Sequence, residues 1–251
     1  MPPRRAAAVI AVNGIEIAIV RRRMRRLRLV VLPPDGRVVL SAPPWVPRRE
    51  LVAFATSKAD WIRVHQARVR ALPAPPRVEY VDGEVHPVWG RDYALAVVGL
   101  ATAGAVAGRR RVSVALDGDR LVLMVPAAAD LPSRARAVAA WYRAEAARAI
   151  GPLVAAWQGP LGVEVAAWSV RRMATRWGSC TPRTRRLRFN SELAKRRPEL
   201  LEYVVVHEMA HLIEPSHNQR FKSLLTAHMP DWHARHAELA ARPIGRHVDG
   251  D

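Results

Sequence analysis

The segment from Pro198 to His217, PELLEYVVVHEMAHLIEPSH, constrains the fold of this chain more than any other. Proline suits the first turn of a helix, and Glu199 and Glu202 suit the positive end of the helix dipole. The three valines at 204–206 are poor helix formers, and alone they would also fit a buried strand. The start and the length of the segment favour a helix.

Two histidines on this helix predict a metal site. His207 and His211 are four residues apart, so they share one face, with their Cβ atoms about 5–6 Å apart. Both rings can reach one ion at about 2.0–2.1 Å, the usual Zn–N length. Glu208 lies about 100° around the helix, where it can act as a base on a metal-activated water. Burial of these side chains without a partner would be costly, which favours a metal over a metal-free helix.

The third protein ligand must come from beyond the helix, since a catalytic zinc normally has three. Pro215 disfavours helix at Glu214, so we expect the chain to leave the helix near Ile213. His217 then has the spacing of the third histidine in H-E-x-x-H-x-x-G-x-x-H sites. Glu214 is the competing ligand, because a carboxylate three residues after His211 can share its face. The sequence favours His217.

The rest of the chain is typical of an α+β protein. Residues 1–128 form a predicted β-rich N-terminal part, with tight turns such as Asn13-Gly14 and a helix over residues 47–70. Residues 129–251 form a predicted α+β C-terminal domain around the histidine helix. Further elements are expected there as a helix over 133–157, strands over 163–171 and 187–190, and helices over 218–227 and 231–241.

Composition bears on compartment and partners. No apolar run reaches the roughly 18 residues of a membrane span, and we expect a cytoplasmic protein. The net charge is +18, and only three of the 40 basic residues are lysine. Arginine clusters at 21–23, 109–111 and 183–186 fit a phosphate-bearing partner, either a nucleotide or a nucleic acid. Codon usage that favours arginine explains them equally well, and no aromatic-interleaved nucleic-acid motif accompanies them.

Three quoted segments resemble the YgjP-like family of zinc metallopeptidases, which is related to the SprT-like and WLM proteins. They are VRRMATRWGSC (170–180), LRFNSEL (187–193) and LLEYVVVHEMAHLIEPSHNQRF (200–221). The resemblance is close over residues 133–235. It implies a zincin-like fold, one zinc ion held by His207, His211 and His217, and Glu208 as the catalytic base.

Residues before the histidine helix are candidates for substrate binding. The guanidinium of Arg176 could bind a substrate carboxylate or phosphate, although surface charge is the alternative. Trp177 is expected in the core or as a wall of the cleft. Cys180, the only cysteine, is expected to be buried and inert. Three later histidines are expected to be solvated: His228, His233 and His236.

The predicted function is zinc-dependent hydrolysis of peptide bonds in a peptide or protein substrate. Two alternatives remain open because of the arginine excess. One is metal-dependent hydrolysis of a nucleotide phosphoanhydride. The other is a peptidase module associated with nucleic acid.

Overall fold

A computed structural model describes residues 8–32, 35–71, 78–100, 112–126 and 128–241. The chain divides into two compact units, Met1–Pro76 and Arg77–Asp251. Both units combine strands and helices, so the predicted α+β class is confirmed.

In residues 8–32 and 35–71, the first unit is a four-stranded sheet with two helices. Its strands are β1 (Ala8–Val12), β2 (Ile15–Arg21), β3 (Arg28–Leu32) and β4 (Arg37–Ala42), in the order β1-β2-β4-β3. The central pair β2 and β4 is parallel, and the outer pairs are antiparallel. Alternate apolar residues of the strands, such as Ile17 and Leu40, are fully buried against Leu51 and Ile62 of the helices.

Of two predictions for this unit, one is confirmed and the other is wrong. The Asn13-Gly14 turn is confirmed, since Val12 pairs with Ile15 and Asn13 has a φ of 49°. The single helix expected over 47–70 is two helices, α1 (Arg48–Ser57) and α2 (Ala59–Ala71). The backbone of Lys58 leaves the helical conformation between them, with φ −112° and ψ 7°.

The described part of the second unit contains two sheets. The first has β5 (Val85–Val88), β6 (Arg91–Leu100), β7 (Ser113–Asp117) and β8 (Arg120–Pro126), in the order β5-β6-β8-β7. The second has β9 (Ala167–Arg171), β10 (Gly178–Thr181) and β11 (Arg186–Asn190), in the order β10-β11-β9. The helices are α3 (Leu131–Leu161), α4 (Pro198–Ala210), α5 (Gln219–His228) and α6 (Trp232–Ala241).

The division between the units falls at Pro76 and Arg77, whereas the sequence placed its boundary between residues 128 and 129. The sheet β5–β8 packs with the C-terminal elements, because Leu95 and Leu121 share one buried cluster with residues of α3 and α4. The backbone N–H of Trp89 also donates to the carbonyl of Ala194, at 2.8 Å. The proposed domain boundary between residues 128 and 129 stays a prediction.

Candidate metal centre and active site

Helix α4 is the element that carries the metal-binding candidates. Pro198 opens it and Glu199 lies in its first turn. Its valine run, residues 204–206, is helical and buried on all sides by the core of the second unit. Packing therefore overrides the low helix propensity of valine.

The three histidines predicted as ligands come together at the end of α4. His207 is in the last turn, His211 follows the helix as its C-cap, and His217 lies in the next loop. One ring nitrogen from each lies within 4.8 Å of the others. The Nε2 atoms of His207 and His217 are 3.0 Å apart. Nitrogens around a tetrahedral zinc are about 3.3 Å apart, so the cluster fits such an ion.

Hydrogen bonds orient two of these rings. The Nδ1 atom of His211 is 3.1 Å from the carbonyl of Glu214. The Nδ1 atom of His207 is 3.3 Å from the hydroxyl of Tyr203. When Nδ1 is occupied in this way, Nε2 is left to bind a metal. Burial lowers the pKa of His207 to about 3 and also lowers that of His211, which keeps both rings neutral.

The side chain of Glu214, the competing ligand, faces the loop. Its Oε1 atom accepts a hydrogen bond from the backbone N–H of Ser216 at 3.1 Å, and its Oε2 atom is 4.0 Å from Arg220. The Ser216 bond is the main cause of the lowered pKa of Glu214. The backbone carbonyl of Glu214 therefore orients the ring of His211, while its carboxylate is hydrogen-bonded to Ser216.

Glu208 is buried against strand β10, with 6% of its surface exposed. The contact is so close that a Cβ atom on Gly178 would lie 2.5 Å from Cγ and 2.7 Å from Cδ of Glu208. Burial raises the pKa of Glu208 to about 8, and the charge of Arg176 partly opposes this rise. A carboxyl group with a pKa near neutrality is suited to accept and return protons.

A cleft of about 660 Å³ opens over the histidines and Glu208. Arg176 and Trp177, the predicted substrate-binding residues, line it. Cys180 also lines it, and burial raises the pKa of its thiol to about 11. The thiol is therefore protonated at neutral pH, as the sequence-based expectation of an inert cysteine requires.

Three residues that support the site were not predicted from the sequence. The hydroxyl of Tyr203 bridges His207 and the Nδ1 atom of His236, at 3.3 and 3.1 Å. His236 is exposed, as expected, and it also lines the cleft. The fully buried Asn190 donates from Nδ2 to the carbonyls of Met173 and Arg176, at 2.8 and 2.9 Å. It thereby holds the loop that presents Arg176 and Trp177.

The comparison with protein families identifies the chain. The model described as "YgjP-like, metallopeptidase domain" matches residues 25–242. The chain belongs to the YgjP-like metallopeptidase family. The predicted family resemblance is thus confirmed, and membership implies a metal ion and a peptide or protein substrate.

Comparisons with individual proteins add little. The crystal structure of the metallopeptidase zymogen of Methanocaldococcus jannaschii jannalysin is similar at 21% identity and a TM-score of 0.34. The match covers 37% of this chain and 95% of that chain. The search of curated proteins gave no match. Within the described parts of the YgjP-like chain, none of the helices is long and apolar enough to cross a membrane.

Proposed function

We propose that this YgjP-like chain is a zinc-dependent peptidase in which His207, His211 and His217 hold one Zn²⁺ and Glu208 is the general base. The observation that carries the proposal is the convergence of three ring nitrogens within 4.8 Å beside a buried carboxylate. Three neutral imidazoles with an open fourth position are a typical ligand set of catalytic zinc.

The residues around the site suit peptide hydrolysis. When bound, Zn²⁺ would lower the pKa of a water molecule and polarise the scissile carbonyl. The carboxylate of Glu208 accepts a proton from the attacking water and returns it to the leaving amine nitrogen. A bound Zn²⁺ would add positive charge beside Glu208, lower its pKa from about 8 and so favour the ionised base.

Arg176 is the proposed anchor for the substrate. Asn190 donates to the backbone carbonyl of Arg176 and so fixes its position, and Arg176 belongs to the lining of the cleft. A guanidinium can bind a backbone carbonyl or a carboxylate with two parallel N–H groups. Trp177 forms part of the same wall and offers an apolar surface to a substrate side chain.

The charge of the cleft favours a peptide over a nucleotide. Among the described residues that line it, Arg176 is the only arginine or lysine. A triphosphate bound for phosphoanhydride cleavage normally needs several cationic groups around its oxygens. The arginine excess of the chain is therefore not concentrated at this site.

The test combines metal content and turnover on one preparation. Purified protein is expected to contain about one zinc per chain and to cleave members of a peptide library. Glu208→Gln is expected to keep the zinc and to lose about 10²–10⁴-fold in turnover, the usual contribution of a general base. Cleavage of nucleoside triphosphates and not of peptides, abolished by the same substitution, would support the phosphoanhydride alternative instead.

A further inference from the structure

The first unit contains a dense group of arginines that the peptidase site does not use. Six arginines fall within residues 21–28: Arg21, Arg22, Arg23, Arg25, Arg26 and Arg28. All six are exposed. The nearest acidic residues along the chain are Glu16 and Asp35. Like charges held this close repel one another, and an anionic partner relieves that repulsion.

The sheet brings a second segment to these arginines. Strands β2 and β4 are parallel, so Arg21 pairs with Ala42, while Arg28 pairs with Ser41. Both ends of the arginine segment are therefore anchored where β4 ends. Residues 43–47, which follow β4, lie at the same edge.

Arg21 ties the two segments together. Its Nη1 atom donates to the carbonyls of Pro43 and Val46, at 2.8 and 2.7 Å. These two residues flank Trp45, which is 69% exposed. Burial of an indole is normally favourable, and an exposed one in a hydrogen-bonded loop is a candidate contact surface.

The beginning of α1 adds two more exposed arginines at this edge. Arg48 and Arg49 follow the loop directly, and Arg48 reaches the carbonyl of Val9 at 3.5 Å. Glu50 is the only acidic residue in the segments 17–34 and 43–50. We call this surface, formed by residues 21–28, Trp45, Arg48 and Arg49, the Arg–Trp edge.

We propose that the Arg–Trp edge binds single-stranded nucleic acid. The planar guanidinium groups match phosphate oxygens with paired N–H donors. The exposed indole of Trp45 offers a face on which an unpaired base stacks. A membrane surface fits less well, because it calls for a broad apolar face, whereas Trp45 projects from a short loop flanked by arginines.

The affinity of the full-length chain for a fluorescein-labelled 20-nucleotide oligothymidine tests the proposal. The variant Arg22→Glu/Arg23→Glu/Arg25→Glu changes exposed side chains of the edge. The control Arg68→Glu/Arg120→Glu/Arg143→Glu makes the same change in net charge at exposed positions elsewhere.

The edge variant is expected to lose at least about ten-fold in affinity, and its salt slope should fall by about 2, since each single-strand phosphate contact contributes about 0.7. The control should stay within about three-fold of the parent. Equal losses in both variants, or no binding by the parent, would overturn the proposal.

Substitutions of Trp45 distinguish binding by base stacking from binding by charge alone. Trp45→Ala is expected to weaken binding at least about five-fold, and Trp45→Phe to restore most of the loss. An unchanged affinity in Trp45→Ala would overturn the assignment of a single strand. Binding to phosphatidylserine vesicles through the same arginines, with no binding to the oligonucleotide, would assign the edge to membranes. Peptide cleavage should be unchanged in all these variants. The binding tests of the Arg–Trp edge are therefore independent of the proposed peptidase function.

Discussion

Replacement of Gly178 by alanine should impair catalysis through Glu208 while the metal stays bound. The new Cβ atom would lie 2.5 Å from Cγ and 2.7 Å from Cδ of Glu208, whereas ordinary contacts of a Cβ atom begin near 3.4 Å. The carboxylate must therefore move by about 1 Å. Gly178 lies in a strand and has no positive φ, so alanine itself introduces no backbone strain.

The size of the effect follows from that displacement. A misplacement of about 1 Å in a catalytic group can cost about 10²-fold in rate. Turnover of Gly178→Ala is therefore expected to fall about 10²-fold. Its zinc content should equal that of the parent, because the three atoms nearest to the added methyl group all belong to Glu208 and none to a histidine ligand.

The assay needs two controls. Gly159→Ala, where an added Cβ atom meets nothing within 4 Å, should keep full activity. Gly178→Ala combined with Glu208→Gln should be little worse than Glu208→Gln alone, because both changes act on one group. A Gly178→Ala protein with the turnover of the parent, or with additive losses in the double variant, would refute the argument.

Three further predictions concern the ligands and the base. His217→Ala should weaken zinc binding more than Glu214→Ala in a chelator competition, because the Glu214 carboxylate is bonded to its own loop; an equal or reversed order would favour Glu214 as ligand. Tyr203→Phe, which removes the hydrogen bond to His207, should weaken zinc affinity about ten-fold, and unchanged affinity would contradict the orienting role. In metal-free protein Glu208 has a folded pKa of about 8 against a usual 4.5, so the folded state holds its proton more tightly and stability falls as the pH rises towards 8. The lowered pKa of His207, about 3 against a usual 6.5, has the opposite effect on stability below pH 6.5. The melting temperature should therefore drop between about pH 6.5 and 8. A similar drop in Glu208→Gln would disprove the assignment of this effect to Glu208.

Local patterns predicted the part of the site that lies on one short segment. Pro198 indicates where the helix begins. Helix geometry places His207 and His211 on one face, and Pro215 ends the helix so that His217 can join them. The same local signals located the Asn13-Gly14 turn. These features depend on residues that are close in sequence.

Contacts between distant residues could not be predicted in this way. Tyr203 and His236 are 33 residues apart, and their hydrogen bond depends on how α6 packs on α4. Gly178 belongs to a strand that leaves room for Glu208, 30 residues later in the chain, and this contact has no local signal in the sequence. The proximity of Trp45 to Arg21 likewise follows from the parallel pairing of β2 with β4, for which the sequence shows no local signal.

X-ray absorption at the zinc edge of the purified protein is the most direct test of the central claim, that His207, His211 and His217 hold the metal beside Glu208. We expect three imidazole nitrogens at about 2.0–2.1 Å and one further oxygen or nitrogen that does not belong to an imidazole. His217→Ala should lose one of the three imidazoles. Two imidazoles with a carboxylate oxygen that disappears in a Glu214 variant, or a sulfur scatterer at about 2.3 Å from Cys180, would contradict the three-histidine site.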